Sequence, residues 1–132
     1  MLPKNDSSPA RILIVDDQQT NIRLLEHTLR RAGFEDATST TDPQAVAGLH
    51  LENEYDLILL DLQMPEMSGL EVLRGLQEIR RAHPVLILVI SADPAQMATA
   101  LAEGADGFLG KPFRLPDVVD HVKLLLDRPS KE

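Results

Sequence analysis

Cysteine is absent from the chain, which excludes disulfides, thiolate nucleophiles and cysteine metal sites. The absence fits a reducing compartment, and a cytoplasmic location is expected. Aromatic residues make up only 3% of the 132 positions, so the core must be aliphatic: leucine, isoleucine, valine and alanine. Basic residues are outnumbered, 13 Lys+Arg against 21 Asp+Glu, and the formal net charge is -8. So acidic a chain lacks the basic footprint for binding nucleic acid directly or an anionic membrane. Long hydrophobic runs are missing too. The longest, Val85–Ile90, falls far short of the ~20 apolar residues that span a bilayer. Residues 1–9 are polar with two prolines and lack the apolar core of a secretory signal.

What the chain does have is 43% hydrophobic residues, enough for one domain with a real core. The expected organisation is a flexible N-terminal tail at 1–9, one domain at 10–127, and a C-terminal tail or linker start at 128–132. Arg11–Val15 (RILIV) reads as a buried strand, short and β-branched. Ile22, Leu25, Leu29 and Ala32 recur at helical spacing, and Gly33 stands where a helix ends. Phe34–Ser39 is a weaker second strand. Asp42-Pro43 offers a cap and a first-turn proline for a helix that turns Val46 and Leu49 inward. Leu57–Leu60 is the third strand, and Leu70, Leu73 and Leu76 mark the third helix. Val85–Ile90 is the fourth strand. Asp93-Pro94 repeats the cap-and-proline start, opening a helix rich in small residues with Met97 and Leu101 as its apolar anchors. Gly107–Leu109 is a short fifth strand, and Leu115, Val118, Val119, Val122, Leu125 and Leu126 form the clearest helical stripe.

Strand and helix thus alternate five times. Continuous apolar strands imply a sheet covered on both faces, and the alternation implies parallel strands with right-handed crossovers. The fold class is α/β, a doubly wound five-stranded parallel sheet flanked by five helices. In such a sheet, ligands bind beyond the carboxyl ends of the strands. Asp16 and Asp17 follow the first strand, Asp61 the third, Ser91 the fourth and Lys111 the fifth. Each alone reads as a turn, cap or surface residue. Together they bring three carboxylates, a hydroxyl and an ammonium to one rim. Crowded carboxylates raise one another's pKa, and a hard divalent cation such as Mg²⁺ relieves the repulsion. Lys111 can pair with Asp61. His27, His50, His83 and His121 are spread along the sequence, which argues against a histidine metal cluster or a phosphohistidine relay within the chain.

The stretches ILIVDD, YDLILLDLQMPEMSG, VLILVISA and GADGFLGKPF resemble the receiver domain of two-component response regulators. Together they cover nearly all of Arg11–Leu126. The resemblance implies a flavodoxin-like sheet in the order 2-1-3-4-5, close to the small chemotaxis regulators. It implies Asp61 as phosphoacceptor, Asp17 as a direct Mg²⁺ (or Mn²⁺) ligand, Asp16 acting mostly through water, and the Gln63 main-chain carbonyl as a further ligand. Ser91 takes the hydroxyl position, Ala92 the small position that leaves room for a phosphoryl group, Phe108 the switch aromatic, and Lys111 the lysine, with a cis Lys111–Pro112 bond. Ser stands where Thr is commoner, and Phe where Tyr is commoner. Gln63 and Asp93 flank the path of a hydrolytic water and could tune phosphoryl lifetime. Pro65 would shape the loop, and Gly69 would allow the turn into the third helix.

The implied function is phosphoryl transfer from a kinase phosphohistidine to Asp61, which switches the face made by the fourth helix, fifth strand and fifth helix. This is a signalling domain that catalyses only its own phosphorylation and dephosphorylation. The implied partners are a histidine kinase or histidine phosphotransfer protein, chosen around Gln18–Leu25 and Pro112–Arg114. A downstream output protein or domain follows, with a homodimer on phosphorylation. One alternative is a receiver module belonging to a larger hybrid kinase or to a regulator with an HD-GYP or other cyclic-nucleotide output. A pseudo-receiver is disfavoured because every charged position is filled. A haloacid-dehalogenase-like phosphohydrolase also uses a strand-end Asp, Mg²⁺, a hydroxyl and a lysine. It places the nucleophile after the first strand with a second Asp two residues on; here position 63 is Gln.

Overall fold

The computed structural model describes residues 9–64 and 68–127. Five strands alternate with five helices: β1 (Arg11–Val15), α1 (Gln19–Arg31), β2 (Asp36–Thr40), α2 (Val46–Asn53), β3 (Leu57–Asp61), α3 (Gly69–Ile79), β4 (Leu86–Ser91), α4 (Gln96–Ala102), β5 (Gly107–Gly110) and α5 (Leu115–Leu126). The sheet is all parallel, as the alternation of strand and helix implied, and runs β2-β1-β3-β4-β5, the order the resemblance implied.

The strands alternate their side chains between two cores, as the pleat demands. Ile12 and Ile14, Leu57 and Leu59, and Leu88 and Ile90 face α1 and α5, joining Ile22, Leu25, Leu29, Val118, Val122 and Leu125. Leu13 and Val15, Ile58 and Leu60, and Ile87 and Val89 face α2, α3 and α4, joining Val46, Val72, Leu73, Leu76 and Ala100. Each central strand therefore reads as continuously apolar because both faces are covered. The edge strands differ: β5 buries only Leu109, and β2 is as poorly covered. In β2 only Ala37 is buried, and the strand starts two residues later than expected, with Phe34 left in the preceding loop.

Local chemistry fixes the helix ends. Gly33 has φ +104°, and the Phe34 N–H reaches back to the Leu29 carbonyl (2.9 Å), closing α1. The Asp42 carboxylate accepts from the Gln44 N–H (3.0 Å) and opens a short 3₁₀ turn, Pro43–Ala45, that leads into α2. Ser68 and Glu71 form a reciprocal capping box at the start of α3. Pro65 lies outside the described residues.

One expectation fails. Met97 and Leu101 do not anchor α4: they are 46% and 45% exposed, and Ala100 makes the buried contact. The helix is too short and too rich in alanine for its larger apolar side chains to identify its inner face. Two of the four histidines, far apart in the sequence, meet in space. The His50 and His83 rings meet edge to face, centroids 6.4 Å apart. His50 is fully buried, its Nδ1 accepting from the Tyr55 N–H (3.1 Å) and its Nε2–H donating to the His83 carbonyl (2.8 Å). Both ring nitrogens are engaged, so this histidine is a core residue.

Candidate phosphoryl and metal site

Every candidate except Phe108 lies at or just beyond the carboxyl end of a strand, on one rim. Asp61 ends β3 and is 3% exposed. Its Oδ1 accepts from the Gln63 N–H (3.0 Å), and its Oδ2 faces the Lys111 Nζ at 3.4 Å. The carboxylates of Asp16, Asp17 and Asp61 each offer an oxygen within 4.8 Å of the others. Asp16 is buried, its Oδ1 accepting from the Gln18 N–H (2.8 Å) and its Oδ2 from the Asn21 amide (3.4 Å). Asp17 is half-buried.

Burial is the main reason the Asp16 carboxyl is pushed above the usual carboxylate range, and the Asp61 charge adds to it. The mutual repulsion expected of crowded carboxylates is present, and desolvation outweighs it. The donor set is all hard oxygen, partly buried and net negative even with Lys111 included. That chemistry fits Mg²⁺ or Mn²⁺ and does not fit a soft metal.

Ser91 ends β4 and is fully buried. Its Oγ accepts from the Asp93 N–H (3.0 Å) and donates to the Gln96 Oε1 (2.6 Å). The Ala92 N–H reaches the Gln63 Oε1 across the rim (3.4 Å). The Asp93 carboxylate accepts from the Ala95 N–H (3.0 Å), so it shapes the turn before α4; it does not cap the helix as expected, because the helix starts later, with Ala95 at the cap position. The Lys111 N–H binds the Ser91 carbonyl (2.9 Å), and the Lys111–Pro112 bond is cis. Phe108, inside β5, is half-buried and packs toward the α3 and α4 core. Sequence reasoning missed Asn21 and Gln96. Each stands five residues beyond its partner, a spacing with no local signature.

Beside this rim a pocket of about 520 Å³ opens between the start of α1 and the loop after β5. Asn21, Leu24 and Leu25 line one side; Pro112, Phe113 and Leu115 line the other. Leu24 is 47% exposed. Among the described residues, no helix is long and apolar enough to cross a membrane.

Comparison with known proteins agrees with this geometry. The family model described as "Response regulator receiver domain" matches residues 12–123. The transcriptional regulatory protein ResD of Bacillus subtilis is 36% identical over 127 residues, covering 96% of this chain and 52% of its own length. The transcriptional regulatory protein SrrA of Staphylococcus aureus is 38% identical over 117 residues, covering 89% of this chain and 48% of its own. The chain thus spans about half the length of these relatives. Among solved structures, the chemotaxis protein CheY4 of Vibrio cholerae superposes with a TM-score of 0.81 at 26% identity, covering 89% of this chain and 99% of that one. The response regulator TrrA of Thermotoga maritima, solved with Mg(2+)-BeF, gives 0.76 at 30% identity over 88% and 98%. With the β2-β1-β3-β4-β5 sheet and the acidic rim in place, the chain belongs to the family of response regulator receiver domains of two-component systems.

Proposed function

We propose that Asp61 accepts a phosphoryl group from the phosphohistidine of a kinase or histidine phosphotransfer protein. The observation that carries this reading is one cluster: three carboxylates with an oxygen each within 4.8 Å of the others, and Lys111 at 3.4 Å from Asp61. The Asp61 carboxylate attacks phosphorus, the P–N bond breaks, and the imidazole leaves with the bonding electrons. Such a transfer needs positioning and charge stabilisation more than covalent chemistry. The Gln63 N–H fixes one Asp61 oxygen and leaves the other directed toward Lys111. Lys111 then neutralises a phosphoryl oxygen, Ser91 can donate its hydroxyl to another, and the Ala92 methyl leaves room between them. Asp16, Asp17, Asp61 and the Gln63 carbonyl would hold Mg²⁺ or Mn²⁺. When bound, the cation supplies the positive charge that lets carboxylates and phosphoryl oxygens crowd together.

The acyl phosphate carries roughly one more negative charge than the carboxylate it replaces. Ser91 is drawn toward it, Phe108 turns further inward, and the face of α4, β5 and α5 changes population. Phe lacks the hydroxyl contact a Tyr would make, so packing alone rewards the inward state. Gln63 and Asp93 border the route of a hydrolytic water and set phosphoryl lifetime.

The pocket between α1 and the β5–α5 loop is the surface on which the phosphodonor protein docks, with Leu24 and Phe113 as apolar contacts. An output domain or partner, and a second copy of the chain, read the switched face. The relatives' names favour a transcriptional output over a cyclic-nucleotide one. DNA contact would belong to a separate part, since this chain is acidic. The test is phosphotransfer from a panel of autophosphorylated histidine kinases. One kinase should lose its label rapidly to this chain and to no Asp61→Asn variant. Transfer to that variant would overturn the assignment.

A further inference from the structure

The Ser91 hydroxyl has one proton, and Gln96 holds it. The Oγ–Oε1 separation is 2.6 Å, while the Asp93 N–H donates to the same oxygen at 3.0 Å. Ser91 is fully buried, so solvent does not compete for that proton. A hydroxyl donates to one acceptor at a time. While the bond to Gln96 lasts, Ser91 has nothing to donate to an oxygen arriving at Asp61.

Gln96 is the first residue of α4, and its own N–H is tied to the Asp93 carbonyl (3.0 Å). The chain just past the far end of the helix is fastened separately, where Arg80, which follows α3, donates to the Gly104 carbonyl (2.6 Å). The helix between has one buried side chain, Ala100. Its N-terminal end is thus joined to the site by side-chain contact through Gln96.

We propose that Gln96 is a positioning residue that latches the Ser91 hydroxyl in the resting state. A phosphoryl oxygen replaces Gln96 as the acceptor of the Ser91 hydroxyl, and this exchange frees the N-terminal end of α4. The proposal rests on the phosphoryl-site reading of Asp61. It adds that α4 senses the phosphoryl group by losing a hydrogen bond.

The experiment measures beryllofluoride binding in Mg²⁺, followed by amide NMR, for Gln96→Met, Gln96→Glu and Ser91→Ala. Gln96→Met keeps the side-chain length and removes the acceptor, so beryllofluoride should bind about three- to tenfold more tightly, the worth of one neutral hydrogen bond. Gln96→Glu keeps an acceptor and should bind no more tightly than the unaltered chain. In the Ser91→Ala background, Gln96→Met should change nothing. Unchanged or weaker binding by Gln96→Met, or an equal gain without Ser91, overturns the latch. A second arm needs neither metal nor phosphoryl mimic: Ser91→Ala should shift the Gln96 side-chain amide resonances, and no shift overturns the latch. If the unaltered chain takes no beryllofluoride in Mg²⁺, the phosphoryl-site reading fails, and this second arm still decides whether Gln96 holds Ser91.

Discussion

Gly69 lies directly against the backbone that carries Asp61. A Cβ built on Gly69 would stand 2.6 Å from the Asp61 carbonyl oxygen and 2.5 Å from the Leu62 Cα. The Gly69 N–H also bonds the Leu62 carbonyl (3.0 Å). This glycine was expected to ease a turn into α3. Its role is instead close approach, letting the helix begin against the end of β3. Gly69→Ala should destabilise the fold by about 1–3 kcal/mol, the usual cost of overpacking. It should also weaken Mg²⁺ binding, because the backbone that must yield is that of Asp61. Denaturant melts and a metal titration check both.

Asp16 gives a pH prediction. Its folded-state pKa is raised, chiefly by burial, above the ordinary value of 3.8. The folded protein therefore binds this proton more tightly than the unfolded chain. The favourable contribution is full at pH below the ordinary value and is lost as pH rises through the raised one. At neutral pH, well above the ordinary value, burying this carboxyl group is a net cost to folding. Asp16→Asn keeps an oxygen for the Gln18 N–H and removes the charge. In metal-free buffer it should raise Tm at pH 7, with the gain shrinking as pH falls through the acid range.

Arg80 ties three segments together. It donates to the Val85 carbonyl (3.1 Å), the Gly104 carbonyl (2.6 Å) and the Asp106 carboxylate (2.7 Å), and Asp106 in turn accepts from the Ile87 N–H (2.9 Å). Both side chains of the ion pair are about one-fifth exposed. Arg80→Ala should cost about 2 kcal/mol, because it leaves a mostly buried carboxylate and two carbonyls short of partners. Chemical denaturation measures it. A change within 0.5 kcal/mol, typical of surface substitutions, would contradict this account.

The metal reading separates two aspartates that look alike in sequence. Asp17 belongs to the carboxylate cluster, whereas Asp42 caps the turn before α2. Asp17→Ala should weaken Mg²⁺ binding by about tenfold or more, since loss of even an outer-shell partner of a metal ligand costs that much. Asp42→Ala should leave it unchanged while costing ~1 kcal/mol of stability as a lost cap. Calorimetric titration with Mg²⁺ compares them, and equal losses of affinity would sink the proposed site.

The sequence was most readable where one physical demand acted alone. β1, β3 and β4 are covered on both faces, so their apolar runs stood out. Asp16, Asp17, Asp61, Ser91 and Lys111 were legible because a parallel sheet brings its strand ends to one edge. β2 was blurred because an edge strand buries only Ala37. His50 shares the inner face of α2 with Val46, four residues before it, but its polarity hid that spacing. Met97 and Leu101 misled because hydrophobicity alone does not orient a seven-residue helix that rests on an alanine. Gln96 was invisible because its meaning lies in one contact across a turn, with no repeat to announce it.

The central claim is that Asp61 is the phosphoacceptor. The most direct measurement is peptide mapping by mass spectrometry after incubation with a small-molecule phosphodonor and Mg²⁺. One phosphoryl group is expected on the peptide carrying Asp61, not formed when Mg²⁺ is chelated before the donor is added and absent from Asp61→Asn. A phosphoryl group on any other residue of the unaltered chain, or persistent labelling of Asp61→Asn, would contradict it.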